Sequence, residues 1–432
     1  MQQIEVLRNG EDSGGKADMK AAMVAELQPE HTPPVRTPWG LVILLGTLTA
    51  MGPLAIDMYL PSLPSIGISL HASAGEAQAT VSAFLAGMAV GQLFYGPASD
   101  RLGRRAPIML GAAIYIVASV ACGFAVSPAM LIGGRFVQAL GACAGGVVSR
   151  AVVRDRFSHT ETARMLSLLM LVMGLAPILA PLLGGALLGV GGWRLNFWFM
   201  ASFGVAVGIA ALIRLKESRS EETTAHAATE SPMQAYLALL REPRLVGYAL
   251  AGALNGATLF TYIASSPDLL IKTYGIPASQ FGWVFGLNAV GIIGSNQVNR
   301  YLLRRRTPDQ VLAKSSLVAT GFAVLLMIAA VSGVGERWSV LPLLFMLLST
   351  YGFMQGNTMA GALNVDPRRA GAISALMGAV SFGTGAVASA AAGVLHDGTP
   401  RPMALVMLVA LIGSVLCLRL LALPKDSRKH PA

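Results

Sequence analysis

The sequence predicts an all-α integral membrane protein of about twelve transmembrane helices, arranged as two pseudo-symmetric bundles of six. Three observations carry that expectation. Hydrophobic residues make up 54% of the 432 residues and charged residues only 12%, about half the charge of a soluble domain. Apolar runs long enough to cross a bilayer, about 18 residues or more, recur along the whole chain. The basic residues fall between those runs, and mostly in every second gap.

Taken in order, residues 1–37 are polar and mixed in charge. They read as a disordered cytoplasmic tail, with a short amphipathic stretch over 19–27 and no cleavable leader. Apolar runs at 38–66, 77–98, 106–126, 128–149, 163–189 and 193–214 make a first half, 38–214. The stretch 215–243 is rich in Ser, Thr, Glu and Ala and reads as a cytoplasmic linker, with a short helix near Met233–Arg241. Runs at 245–266, 279–299, 311–333, 338–361, 370–394 and 402–424 make a second half, 244–424, followed by a cytoplasmic tail, 425–432. The halves echo each other. "GQLFYGPASDRLGRR" lies 200 residues before "GIIGSNQVNRYLLRRR", with Gly91 matching Gly291 and Arg104 and Arg105 matching Arg304 and Arg305.

The net charge of +10 does not indicate nucleic-acid binding. "SDRLGRR", "SRAVVRDR", "RLKESR", "NRYLLRRR" and "DPRR" fall on one side, against only Arg194, Lys272, Arg337 and Arg401 on the other. The positive-inside rule places the first set and both termini in the cytoplasm. Cys122, Cys143 and Cys417 lie in apolar runs without metal-like spacing and read as packing residues. All six histidines fall in loops or tails, so neither a histidine relay nor a metal site is expected. No GxxxxGK[ST], HExxH or GxSxG motif occurs. The chain is therefore read as no enzyme, with no catalytic residue, no metal and no cofactor. Gly383–Ala388 matches GxGxxA but follows no strand, and reads as helix packing.

Within the runs, Asp57 in "IDMYLP" is the one acid deep in a span, and Arg135 in "GGRFVQALGA" the one deep base. An ionisable group in lipid costs several kcal/mol, about 2.5–3.5 on insertion scales, and is functional by default. Counting a rise of about 1.5 Å per residue puts both in the same half of the membrane. The two charges are expected to share a site and to be energetically coupled. In "GPASDRLGRR", Gly96 and Gly103 permit a tight turn and close helix contact, beside Asp100, Arg101, Arg104 and Arg105. In "GLAPILAPLLGG", Pro177 and Pro181 lie four apart, flanked by Gly174, Gly184 and Gly185. They suggest a bendable seam that seals the core against ion leak.

Together these residues resemble the major facilitator superfamily. "GQLFYGPASDRLGRR" is similar to its loop signature between spans two and three. Arg135, Gln138 and Gly141 match the fourth-span R-x-x-Q-x-x-G, and "GLAPILAPLLGG" resembles the antiporter signature of drug exporters, with Pro177 and Ala180 in place of its usual glycines. "IDMYLPSLPSI" resembles the first span of the bicyclomycin/chloramphenicol-resistance (Bcr/CflA) branch. The resemblance covers about residues 38–424. It implies a twelve-span drug/proton antiporter of the bacterial inner membrane, two bundles around a cavity that opens alternately to each side. Asp57 would exchange proton for drug, with Arg135 beside it. Gly96, Asp100, Arg101, Gly103, Arg104 and Arg105 would form the cytoplasmic gate. Thr49 stands where related exporters carry a second acid.

The cavity wall is expected to draw on Met58, Tyr59, Gln138, Asn255, Tyr262, Asn288, Gln355 and Asn357, although each amide could equally make an interhelical hydrogen bond. The expected partners are protons, small amphipathic substrates and the bilayer, handled by a monomer driven by the proton gradient. Export of an endogenous metabolite (amino acid, peptide or siderophore), uptake by proton symport, and a transport-inactive sensor or scaffold are the rival readings.

Overall fold

A computed structural model describes residues 39–219 and 231–423; the segments read as tails, 1–37 and 425–432, and the centre of the linker lie outside the described residues. Apart from Trp39, every described residue belongs to one compact unit, Gly40–Ala432. Fourteen α-helices follow in order: α1 Trp39–Asp57, α2 Leu63–Ser69, α3 Ala74–Leu102, α4 Arg105–Gly123, α5 Pro128–Arg156, α6 His159–Arg214, α7 Pro232–Leu240, α8 Pro243–Pro267, α9 Ala278–Leu302, α10 Pro308–Ser332, α11 Arg337–Ser349, α12 Tyr351–Leu363, α13 Ala370–Val394 and α14 Arg401–Cys417. Each of the twelve apolar runs finds its helix. The first crossing is α1 with α2, the tenth is α11 with α12, and α6 holds the fifth and sixth.

Three details depart from the sequence reading, and a fourth, the break inside α6, falls in the gap it left between the runs 163–189 and 193–214. The first crossing is broken: α1 stops at Asp57, and a 3-10 turn, Leu60–Ser62, precedes α2. Pro61 and Pro64 account for this, since neither can donate the N–H that a continuing helix would return to Asp57 and Leu60. The second, α3, runs on through Asp100 and Arg101, so only Gly103 and Arg104 turn the chain. "SRAVVRDR", read as a loop, is the last two turns of α5. Finally, α6 stays helical through Pro177 and Pro181 and breaks instead at Gly191 and Gly192. Gly192 has φ +71°, a conformation that favours glycine.

Among the described residues nine helical segments are long and apolar enough to cross a membrane, one of them the double crossing of α6. The two crossings absent from that set are α8 and α9. They carry Asn255, Thr258, Thr261, Ser265 and Ser266, and Asn288, Ser295 and Asn299, all buried. Polar side chains that would be costly against lipid are turned into the protein. Helix α8 is mostly buried, whereas α9 keeps its polar face inside and presents Trp283, Leu287, Val290, Val298 and Tyr301 at the surface.

Small residues set the helix spacing. Gly141 of α5 meets the backbone of Tyr115 on α4, Gly145 meets the carbonyl of Leu48 on α1, and Gly385 of α13 meets the Phe260 ring on α8. The proposed repeat has a physical counterpart here. Gly91 of α3 abuts Cys143 of α5, and Gly291 of α9 abuts Phe345 and Ser349 of α11. Matching positions thus pack the second crossing of each half against the fourth.

Two long seams join the halves. Along α3 and α13, Gly75 faces the carbonyl of Gly393, the Ser82 and Ser389 hydroxyls lie 2.8 Å apart, and Gly378 faces Gln92. Along α6 and α9, Leu182 packs on Gly282 and Ile178 on Gly286. On the side of Asp57 away from the basic turns, Leu60–Ser62 also packs on α8 and α9.

Candidate functional site

Asp57 ends α1 at the break of the first crossing and is 3% exposed. Its Oδ1 has no hydrogen-bond partner. The carbonyl of the next residue, Met58, presses on Gly184 of α6, leaving no room there for a methyl group. Among the described residues Asp57 is the one acid in the fully buried set. The sequence reading of a lone deep acid therefore agrees with the fold.

Arg135 is fully buried on α5, but it does not pair with Asp57. Among the described residues no ion pair joins them. The guanidinium instead sits in an aromatic cage, 4.0 Å above the Tyr59 ring and 4.2 Å from Phe84, with Phe197 at 6.0 Å. Its Nη1 donates to Gln138 Oε1 at 2.6 Å, and Gln138 Nε2 donates to Ser119 at 2.7 Å. Tyr59 is held by a 3.0 Å hydroxyl contact to Thr80. The expected pair is not formed, for a geometric reason: lying in the same half of the membrane does not make two residues lateral neighbours, and Tyr59, two residues past Asp57, supplies the face on which Arg135 stacks. A desolvated cation–π contact is worth about 2 kcal/mol or more. Nε and Nη2 of Arg135 remain without a hydrogen-bond partner.

The cage residues Thr80, Phe84, Ser119 and Phe197 were missed by sequence reasoning, as was Asn196, which donates to Ser62 at 2.8 Å. Asn196 alone had a signal, an amide inside an apolar run. The aromatics were indistinguishable from core residues.

The other cavity candidates divide. Met58, Tyr59 and Gln138 are fully buried and belong to the packing just described. Asn288 donates to the Tyr262 hydroxyl at 2.7 Å and Asn357 to Asn299 Oδ1 at 3.0 Å. These four residues make interhelical bonds between α8 and α9 and between α9 and α12. Asn255 is buried with its Oδ1 unpartnered, and Gln355 is exposed.

At the basic end, Arg104 draws together residues of the signature turn. Its guanidinium is 4% exposed and bonds Asp155 on α5 through Nε at 2.6 Å, and Asp100 through Nη1 at 2.5 Å. Nη1 also donates to Ser99 at 2.9 Å. Gly103 has φ +89°, and the Glu217 carboxylate lies 2.6 Å from where its Cβ would be. Glu217 accepts the backbone N–H groups of Arg104 at 2.8 Å and Arg105 at 3.2 Å. Arg219 donates to the carbonyls of Asp100 and Arg101. The start of the linker therefore straps the α3–α4 turn. Gly96 departs from expectation: nothing lies within 4 Å of its Cβ position, so it mediates no close helix contact here. Arg105 donates to Leu212 O at 2.7 Å, while Arg101 is exposed. Asp155 and Glu217 were absent from the sequence reading because their partners lie 51 and 113 residues away.

Burial works against charge on Arg104, but its bonds to Asp155 and Asp100 outweigh this and hold its pKa above the ordinary value. Burial likewise pushes Glu217 up, and four backbone N–H donors outweigh it and hold the carboxyl below its usual range. A depressed carboxyl stabilises the fold above its unfolded pKa, about 4.3. That contribution is lost as pH falls through the folded value. The strap is therefore expected to be intact at neutral pH and to loosen only below about pH 4.3. Hydrogen exchange at Arg104 and Arg105 should rise in that window, and Glu217→Gln should show the loosened exchange already at pH 7. Arg104→Ala leaves two carboxylates facing each other. It is expected to slow cycling severalfold while drug binding stays within about twofold of the parent, since no cavity candidate touches it; flux and equilibrium binding measured on one preparation check this.

In the antiporter-like stretch, Gly184 faces the Met58 carbonyl, and a Cβ at Gly185 would lie 3.0 Å from the Ala278 carbonyl of α9. A Cβ at Gly174 would lie 3.6 Å from Ile293. This segment with Pro177 and Pro181 forms the α6 side of one inter-half seam.

The Major Facilitator Superfamily model matches residues 45–388. The chain is 33% identical over 392 residues to the uncharacterized MFS-type transporter YdgK of Bacillus subtilis, covering 89% of this chain and 96% of that protein. It is 28% identical over 375 residues to the bicyclomycin resistance protein homolog of Haemophilus influenzae, covering 87% and 94%. With multidrug resistance protein MdtL of Escherichia coli it shares 36% over 242 residues, 56% of this chain and 61% of that one. The fold superposes on a D-xylose-proton symporter with TM-score 0.70 at 12% identity, over 90% of this chain and 99% of that one. A bacterial homolog of the human lysosomal transporter Spinster follows at TM-score 0.63 and 15% identity, over 88% and 94%. The twelve crossings, the turn built on Gly103 and Arg104, and a family match over most of the length identify this multi-pass membrane protein as a member of the major facilitator superfamily.

Proposed function

We propose that the chain exports amphipathic drugs or antibiotics in exchange for protons, by alternating access, from the cytoplasm of a bacterium across its inner membrane. The basic end, which carries Arg104 and Asp155, faces the cytoplasm under the positive-inside rule. The opposite end faces outward in this reading, and Leu60–Ser62 touches α8 and α9 of the second half on that side. The observation that carries the reading is Asp57: a buried carboxyl with an unpartnered oxygen, placed where the first crossing breaks. Broken helices near mid-membrane are where transporters of other families place their ion and substrate sites.

The physics suits exchange. An isolated charge in the low-dielectric interior costs several kcal/mol, so Asp57 must be neutralised to cross with the moving halves. A proton or a cationic substrate can do this, and each excludes the other. Driving one charge through 100 mV supplies about 2.3 kcal/mol, or about fiftyfold accumulation. No separate energy source or cofactor is needed in this scheme, and the α6–α9 seam seals the bundle against leak. The bicyclomycin and multidrug names of the relatives favour antibiotic substrates over an endogenous metabolite. The protein works as a monomer in this reading, through two halves with one proton site in the first. The gate at Arg104 holds the cytoplasmic end when that end closes.

Growth of a drug-sensitive host expressing the chain, across a panel of cationic, neutral and zwitterionic antibiotics, tests the function. Raised tolerance that depends on the proton gradient is expected. Full sensitivity to every compound, together with export of an amino acid or peptide, would replace drug export with metabolite export. Arg135→Lys keeps the charge but loses the planar stack and the bond geometry to Gln138. It is expected to lower the thermal midpoint by several degrees while the pH profile of drug binding stays within about 0.3 unit, because Arg135 is caged by rings rather than paired with Asp57. Calorimetry beside a binding titration separates the two effects.

A further inference from the structure

The second half holds a charged cluster that the export site does not use. Asp268 opens a π-helical turn, Asp268–Thr273, at the outward end of α8. Its Oδ2 lies 2.5 Å from Nε2 of His396, in the loop after α13, and its Oδ1 lies 3.1 Å from Lys272. Asp268 is 15% exposed and His396 24%. Two small spaces flank the carboxylate, and Gln78 of α3, in the other half, lines both. Gln78 is 4% exposed and its Oε1 has no partner. Gln78 of one half and Asp268 of the other thus line the same two spaces, with the Gln78 Oε1 against Gly393 of α13.

The charges around this point are few. In the residues lining the two spaces, Asp268, Lys272 and His396 are the titratable ones; α2 contributes Leu63 and Pro64, α14 Pro402 and Met403, and α3 the neutral Gln78. Nearby Asp397 bonds Thr399, Arg401 bonds the carbonyls of Ala330 and Val331, and Glu76 bonds Ser73. Lys272 is half-exposed. Closing the outward end carries Asp268 from water into the joint, against Gln78. A carboxylate is buried cheaply only when neutralised. Histidine changes charge between about pH 5 and 8, so His396 decides whether Lys272 does this alone.

We propose that Asp268 and His396 form a second proton-binding site, in the half that lacks Asp57, and that a proton bound there favours closure of the outward end. The site fills from outside when that end is open; Lys272, half-exposed, stays at the water edge, and the protonated Asp268–His396 pair is what enters the joint without net charge. The inference rests on the alternating-access reading but on neither drug identity nor Asp57.

Spin labels on Ser69→Cys and Gln280→Cys, one in each half and both exposed, in a Cys417→Ala chain, report the outward end. Distance distributions of the full chain in lipid nanodiscs, without drug, are compared at pH 5.5 and 8. The wild type is expected to lose closed population severalfold on going to pH 8, and to do so equally with Asp57→Asn. His396→Gln should be open-biased at both pH values. Asp268→Asn, with no carboxylate left to neutralise, should be closed at both, a contrast that a merely structural contact would not produce. A pH-independent wild type, or an unaltered pH response in His396→Gln and Asp268→Asn, overturns the proposal. Loss of the response in Asp57→Asn overturns it too, since the titrating group would then be Asp57. A chain that exports drug with a pH-independent population sinks this inference alone. A His396-dependent population without any drug export supports it and sinks only the drug reading.

Discussion

Asp57→Asn is expected to reduce proton-driven efflux to the level of empty vesicles while the protein still inserts and folds. The amide has the shape of the carboxyl, so the packing of Met58 on Gly184 is undisturbed. The carboxyl Oδ1 makes no hydrogen bond that the amide would lose. Removing a buried ionisable group relieves the cost of its desolvation, so the thermal midpoint should hold or rise. Only the ability to exchange a proton disappears. The measurement is drug flux into everted vesicles under an imposed pH gradient, beside the thermal midpoint of the purified protein. Efflux at the parental rate would remove Asp57 from the coupling, and a collapsed midpoint would make its role structural. Asp57→Glu, which restores the proton site one methylene longer, should recover part of the flux.

Gly184→Ala is expected to do the largest structural damage of any methyl-sized change in the α6 seam. A Cβ at 184 overlaps the carbonyl of Met58, a backbone atom that cannot swing aside. Either α6 or the turn after Asp57 must move. Overpacking of this kind costs about 1–3 kcal/mol or more, and here it falls beside Asp57. Gly174→Ala, one of the same glycine set, is expected to be neutral or slightly stabilising. Its Cβ would meet Ile293 at 3.6 Å, ordinary contact, and alanine favours a helix over glycine by about 1 kcal/mol. Thermal unfolding in detergent and efflux in cells should therefore separate the two, with Gly184→Ala low in both and Gly174→Ala near the parent. Equal behaviour would show that the α6 contact with the Met58 turn does not constrain the site.

Asp57, Arg135, Gly103 and the α6 glycines were legible because each violates an expectation for a lipid-facing helix: a charge, or a residue without a side chain, where a large apolar one is the default. Phe84 and Phe197, which cage Arg135, violate nothing. An aromatic in a membrane helix is ordinary until a guanidinium is found against it. Gly96 shows the converse, a signature residue with no close neighbour in this conformation.

By itself the sequence determined the number and order of the crossings and the identity of the deep charges. Those follow from transfer free energies that act residue by residue: apolar runs enter lipid, polar ones do not, and basic residues stay on one side. What only the tertiary structure decided is which groups meet. Asp57 and Arg135 were placed in the same half of the membrane, yet past the break after Asp57 it is Tyr59 that takes the arginine. Arg104 chose Asp155, 51 residues away, and Glu217, 113 away. His396, read as an ordinary loop residue, met Asp268 across 128 residues. Such pairings depend on the lateral packing of helices through glycine contacts, and the depth of a residue along its own helix carries no information about that direction.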